Sequence, residues 1–131
     1  LNKNSITDKL IETALKTTEN SYSPHSKFKV GAALVTDRGN IFKGVNVEFD
    51  AYTLTVCAER AALFNAISNG ERKPIQIAIA TNSHEFKYPC GLCRQALAEF
   101  NPELEIILVN KSKKIKKLVL KKLIPDLFKL K

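Results

Sequence analysis

The sequence predicts an α/β/α sandwich, a mixed sheet of about five strands with helices on both faces. Three observations carry that expectation. The chain opens with an apolar stripe at helical spacing, continues with two strand-like runs joined by a turn, and then alternates helical and strand segments. Such alternation implies a sheet covered on both sides. With 131 residues and 44% apolar content, the chain suits one compact domain, residues 1–131, whose core needs no covalent staples.

The elements follow in order. Ile6, Leu10, Ile11, Ala14 and Leu15 recur at helical spacing, and Ser5 or Thr7 is a suitable cap. After the Tyr22-Ser23-Pro24-His25-Ser26 loop, FKVGAALVTD and IFKGVNV read as two strands joined by a turn at Arg38-Gly39-Asn40, so they should pair as a hairpin. VCAERAALFNAISNG is rich in alanine and reads as a helix that stops at Asn69-Gly70. PIQIAIAT is a mostly buried strand. Pro89 then precedes a shorter helix, GLCRQALAEF, which Asn101-Pro102 ends, and LEIILVN follows as another apolar strand.

The net charge of +8 raises the question of a nucleic-acid partner, but its distribution argues otherwise. Residues 1–110 balance twelve basic against twelve acidic side chains, and the excess lies beyond, where nine lysines face only Asp126. Interleaved with Leu118, Leu120, Leu123, Ile124 and Leu127, those lysines read as the wet face of a final strand and short helix. No run of about 18 apolar residues occurs, and LNKNSITDKL lacks the apolar centre of a secretory signal, so a cytoplasmic protein with no membrane partner is expected.

Three cysteines are an odd number and cannot all pair within the chain. Cys57 falls at the start of the second helix, and Cys90 and Cys93 at the start of the third, spaced so that both thiols share a face. Helix starts offer free N–H groups and positive partial charge, which favour thiolates and help to hold them around a metal. Three thiolates leave the fourth tetrahedral position of zinc open to water, as in catalytic sites. Other uses stay open on spacing alone: a Cys-x-x-Cys redox pair, or Cys57 as a buried core thiol. Glu59 tips the balance, because a carboxylate in the first helical turn can reach a metal's water without ligating the metal. His25 and His84 lie in loops and read as ordinary polar residues.

Cys57-Ala58-Glu59-Arg60 followed by Pro89-Cys90-Gly91-Leu92-Cys93 resembles the cytidine deaminase family in its small form with three cysteine ligands. YSPHSKFKVGAAL, Asn46-Val47-Glu48, Tyr52, GLCRQ and the terminal LIPDLF look like further family segments in family order, so the likeness covers nearly the whole chain. It implies a cytidine deaminase-like fold and one zinc ion per chain held by Cys57, Cys90 and Cys93. It also implies hydrolytic conversion of cytidine and deoxycytidine to uridine and deoxyuridine with release of ammonia, a step of pyrimidine salvage. Glu59 would move protons, Phe28 would stack on the base, Asn46 and Glu48 would hydrogen-bond the ribose, and the N–H of Ala58 would hold the base carbonyl. Tyr52 and Phe128 would help to complete sites between subunits of a homotetramer. Arg60 would hydrogen-bond the sulfurs and draw charge from a centre whose three thiolates leave it net negative. Arg94 and Gln95 match the motif without a definite role.

The chain departs from the family where an asparagine and small residues usually follow the Asn-Val-Glu stretch, for here Phe49-Asp50-Ala51 stand instead. With Glu48 and Asp50 as anions and no base from Asn46 to Tyr52, free nucleosides are the expected substrates rather than nucleotides or nucleic acid. The competing expectations are a related deaminase of another amino-heterocycle, such as an aminonucleoside antibiotic or a nucleotide, and a nucleic-acid-binding module with a structural zinc. That module would need a fourth protein ligand and would give Glu59 no purpose.

Overall fold

The computed structural model describes residues 3–130. Helix α1 (Lys3–Thr17) leads into strands β1 (Val30–Thr36) and β2 (Ile41–Val45); α2 (Ala58–Ser68), β3 (Pro74–Thr81), α3 (Gly91–Ala98), β4 (Glu105–Val109) and β5 (Ile115–Val119) follow, with single 3-10 turns after α1, β2 and β5. The sheet order is β2-β1-β3-β4-β5. β1 runs antiparallel to β2 and β3, β3 and β4 are parallel across α3, and β5 closes the far edge antiparallel to β4.

The side-chain period of two divides the three central strands between two cores. Ala32, Leu34, Ile77, Ile79, Ile106 and Leu108 point to the face covered by α2 and α3, where Ala62, Leu63 and Leu97 meet them. Ala33, Val35, Ala78, Ala80, Ile107 and Val109 point to the opposite face, where Leu10 and Ala14 of α1 cover them. Strands buried on both sides need apolar residues at every position, which is why β1, β3 and β4 read as continuous apolar runs rather than alternating ones. The layers are therefore the expected α/β/α sandwich.

Local signals mostly act where expected. Gly39 adopts φ +84° in the turn of the β1–β2 hairpin, a backbone that favours glycine. Two boundaries differ. α1 begins at Lys3, so its cap lies outside the described residues; Ser5 and Thr7 sit inside the helix, and Thr7 instead hydrogen-bonds Gln76 of β3. α3 ends at Ala98, two residues early, because Asn101 turns its amide to the carbonyl of Pro74 and starts the entry to β4. The lysine-rich tail forms β5 and the 3-10 turn Leu120–Lys122, with Lys116 and Lys117 exposed and the ammonium of Lys116 over the ring of Tyr88. Charged side chains on an outer strand also discourage edge-to-edge pairing with another sheet.

Candidate active site

Two helix N-termini meet at one end of the sheet. Cys57 is the residue before α2 and Cys90 the residue before α3, both in extended backbone, while Cys93 lies one turn into α3 and is buried. Val47 bridges Tyr22 on one side and Val56 on the other, which fixes the strand that delivers Cys57. Arg94 anchors the other arm, donating from Nε to the carbonyl of Pro89 at 2.7 Å and from Nη1 to the carbonyl of Leu123 at 3.1 Å. Gln95 holds the tail through the carbonyl of Phe128 at 3.1 Å. The two motif residues without a definite role thus fix the cysteine loop and dock the C-terminal segment.

The three thiols are free, and their sulfurs lie within 4.8 Å of one another, with Cys57 Sγ and Cys90 Sγ 3.7 Å apart. A disulfide needs about 2.05 Å. Two sulfurs on a tetrahedral zinc, each at about 2.3 Å, stand about 3.8 Å apart. The spacing therefore fits ligands of one metal ion. A proton is unevenly shared in the cluster: hydrogen bonding to Cys93 is the main influence on Cys57 and, helped by Lys87 and Arg60 against burial, brings its thiol down to about 4. The same bond and burial push Cys93 upward.

Glu59 lies in the first turn of α2 with no exposed surface. Its Oε2 accepts from Lys87 Nζ at 2.8 Å, and its Oε1 is buried without a hydrogen-bond partner. Burial raises its pKa, with Cys57 adding to the effect and Lys87 opposing it. Burial opposes the charge of Arg60 most, but the sulfurs of Cys57 and Cys93 outweigh it and raise its pKa; Nη2 stands 3.8 Å from Cys57 Sγ.

Beside this cluster, Asn46 and Glu48 organise the loop that leads to Phe28. Asn46 Nδ2 donates to the carbonyl of Phe28 at 2.7 Å, and its Oδ1 accepts from the N–H of Val30 at 3.0 Å and from the Ser21 hydroxyl. Glu48 Oε1 accepts the N–H groups of His25 and Ser26, each at 3.0 Å, while Oε2 accepts from the Ser26 hydroxyl. Phe28 is partly buried against the core. Both polar residues spend most of their capacity on this scaffold, leaving one N–H of Asn46 and lone pairs of Glu48 for another group. His25, read from sequence as ordinary, also reaches Asp50 at 3.1 Å through Nε2 and so links the two loops. Tyr52 and Phe128 are 76% and 67% exposed, so within one chain neither is packed into the cluster.

Lys87 had no sequence signal. It stands in the aperiodic stretch between β3 and α3, and only the fold brings it to Glu59.

Hydrolytic deamination at a zinc-type centre requires a metal pocket with an open position and an acid/base group that is not a ligand. The end of this sheet has a donor set and a carboxylate of that kind. Residues 4–109 match the family model described as the cytidine and deoxycytidylate deaminase zinc-binding region. A cytidine deaminase of Sporosarcina psychrophila is 42% identical over 122 residues, 92% of this chain and 90% of its own. Among solved structures, cytidine deaminase from Burkholderia pseudomallei superposes with a TM-score of 0.88 at 41% identity, covering 98% of this chain and all of its own. The enzyme from Mycobacterium tuberculosis gives a TM-score of 0.82 at 34% identity, covering 95% and 98% of the two chains. The chain belongs to the cytidine and deoxycytidylate deaminase family.

Proposed function

We propose that the chain catalyses zinc-dependent hydrolytic deamination of cytidine and deoxycytidine, with one zinc ion held by Cys57, Cys90 and Cys93 and with Glu59 as the proton shuttle. The observation that carries the assignment of Glu59 is its buried carboxylate with one unpartnered oxygen beside three sulfurs spaced for a metal. Bound zinc would supply a Lewis acid that makes water acidic enough to ionise near neutral pH. Glu59 takes a proton from the attacking water and delivers it to N3 of the base, which makes C4 electrophilic. Hydroxide adds to C4, and Glu59 then moves the proton of the new C4 hydroxyl to the amino group, so that the C4–N bond breaks, the carbonyl forms and ammonia leaves. Such acid/base work is worth about 10²- to 10⁴-fold. The N–H of Ala58, at the first position of α2 and free of an intrahelical partner, would hold the base carbonyl. Phe28 would stack on the base, and the remaining capacity of Asn46 and Glu48 would take the ribose hydroxyl.

Among the described residues no helix is long and apolar enough to cross a membrane. Three free cysteines suit a reducing compartment, and we place the protein in the cytoplasm. Exposure of Tyr52, Leu54, Phe64 and Phe128 supports assembly, for which we propose a homotetramer whose neighbours cover these side chains. The test of function is zinc content together with the ultraviolet change on adding cytidine, deoxycytidine or CMP. Glu59→Gln should retain zinc and fold yet lose nearly all turnover, with CMP a poor substrate of the native protein. Near-normal turnover in that variant removes Glu59 from the chemistry, and metal-free protein with Cys90 and Cys93 joined as a disulfide overturns the ligand set.

A further inference from the structure

Three buried glutamates occur among the described residues, and their hydrogen bonding divides them. Both oxygens of Glu48 are occupied by the His25–Ser26 loop. Both oxygens of Glu71 are occupied as well, by the Thr36 hydroxyl at 2.6 Å and the Asn40 amide at 2.9 Å. In both of those carboxylates each oxygen has at least one protein donor. Glu59, the most deeply buried, has one oxygen on Lys87 Nζ and the other on nothing.

We propose that Lys87 is the positioning residue for Glu59, holding Oε2 with its ammonium so that Oε1 stays free for proton exchange with the reacting groups. The inference rests on the assignment of Glu59 as proton shuttle and adds the part that orients it. Without that contact the buried carboxylate, acted on otherwise by its own N–H, could turn about its last bond toward another donor. One ammonium on one oxygen removes that freedom and leaves the second lone-pair set available, whereas a guanidinium fork tends to take both oxygens. Lys87 is itself well held. Its side chain is 18% exposed, and its neighbour Phe86 packs on the core beneath α2 and α3. Two residues on, the carbonyl of Pro89 is fixed by Arg94.

A charge pair buried only for stability is a poor bargain, because an apolar pair of similar volume often serves as well or better. Here burial opposes the charge of Lys87 most, and Glu59 first, with Cys57 and Cys93 after it, outweighs burial in favour of the ammonium. Its ammonium therefore offsets the anions around the reacting centre as well as orienting the carboxylate. Arg60 does not duplicate this role, since its contact is to Cys57 Sγ.

The experiment uses the intact zinc-loaded protein as wild type, Lys87→Met, Lys87→Gln, Glu59→Gln and the Glu59→Gln/Lys87→Met double variant. Zinc content, kcat and KM for cytidine and the urea unfolding midpoint are read for each. Loss of the positioning contact should lower kcat about 10- to 100-fold in Lys87→Met, the scale found for groups that orient the ligands of a metal site. KM should stay within about threefold, and zinc content should be unchanged. Lys87→Gln keeps a neutral donor and should fall between, which gives the answer if the methionine variant does not fold. Added to Glu59→Gln, Lys87→Met should cost little further turnover, because the two act as a unit. The unfolding midpoints should likewise be non-additive across the cycle. Wild-type kcat in both lysine variants, with Glu59→Gln inactive, overturns the inference and leaves the shuttle standing. An equal loss from Lys87→Met with and without Glu59 overturns it too. An active Glu59→Gln removes the shuttle, and the inference falls with it.

Discussion

Gly44 of β2 tests whether the position of α2, and with it Cys57 and Glu59, depends on one missing methyl group. A Cβ at Gly44 would stand 2.3 Å from the N of Ala62, 2.5 Å from the O of Ala58 and 2.8 Å from the C of Ala61, all backbone atoms of α2. Ordinary contact begins near 3.4 Å, so Gly44→Ala must drive the helix away by about 1 Å. Overpacking of this kind costs about 1–3 kcal/mol, and the stiffer unfolded chain returns about 0.4–1 kcal/mol. A net loss of about 1–2 kcal/mol lowers Tm by about 4–8 °C in a chain of this size. The larger effect is on activity, because about 1 Å of misplacement can cost about 10²-fold. Gly31→Ala is the control. Its Cβ would meet Ala14 O at 2.4 Å and Thr18 N at 2.7 Å, pushing α1 off the opposite face. It should lose comparable stability while keeping kcat/KM for cytidine within about threefold. Thermal unfolding and steady-state kinetics on both variants decide the matter. Wild-type Tm and activity in Gly44→Ala, or equal losses of activity in both variants, would refute the reasoning.

Three further outcomes are expected. Arg60→Gln should keep its zinc but lose about tenfold in turnover, with the pH–rate profile displaced to higher pH, since positive charge at the sulfurs is lost. An unchanged profile would make Arg60 a packing residue. For Glu48, the Ser26 hydroxyl is the main influence and, with the N–H groups of Ser26 and His25, outweighs burial to hold the carboxyl below its ordinary 4.5. Its folded pKa is thus lower than its unfolded one, so it contributes stability above about pH 4.5 that disappears as pH falls toward the folded value. Glu48→Gln should lower stability at neutral pH and flatten the acid side of the stability–pH curve; a parallel curve in urea titrations counts against it. Light scattering should give four chains per particle, and a fully active monomer would remove Phe128 from any neighbouring site.

How much of this was legible in the sequence depends on whether a feature is local. The spacing of Cys90 and Cys93, and the step from Cys57 to Glu59, are local and could be read from the sequence, but spacing alone left a redox pair or a core thiol open; the family resemblance implied the three-cysteine set, and only the fold brings Cys57 to Cys90, 33 positions away. The two-sided burial of β3 and β4 was likewise visible as apolar runs. Thr7 shows the limit of local signals: a residue suited to capping is used inside the helix because Gln76 of β3 lies opposite. Asn46 and Glu48 show another limit. Family likeness suggests a sugar contact, but the carbonyl of Phe28 and the N–H groups of His25, Ser26 and Val30 that occupy them are set by loop closure. Lys87 was beyond reach, since 28 positions separate it from Glu59 and neither period nor motif connects them.

The placement of positive charge at the site follows from the same distinction. Three ionised thiols and Glu59 would carry four negative charges at one end of the sheet; a divalent ion, Arg60 and Lys87 would carry four positive ones. Both cations act on the sulfurs, but their direct contacts differ, the guanidinium at Cys57 Sγ and the ammonium at Glu59 Oε2, so only the ammonium holds the carboxylate. Balance of this kind matters in a buried site because uncompensated charge there is screened poorly. The net charge of the chain has no part in it. The surplus lysines begin beyond β4; on β5, at the outer edge of the sheet, Lys117 is exposed, and Lys116, also exposed, lies over the Tyr88 ring and donates to its hydroxyl. Two chemically similar groups of cations thus do unrelated work, and burial beside a specific anion, rather than number, separates the pair that bears on catalysis from the many that keep an edge strand soluble.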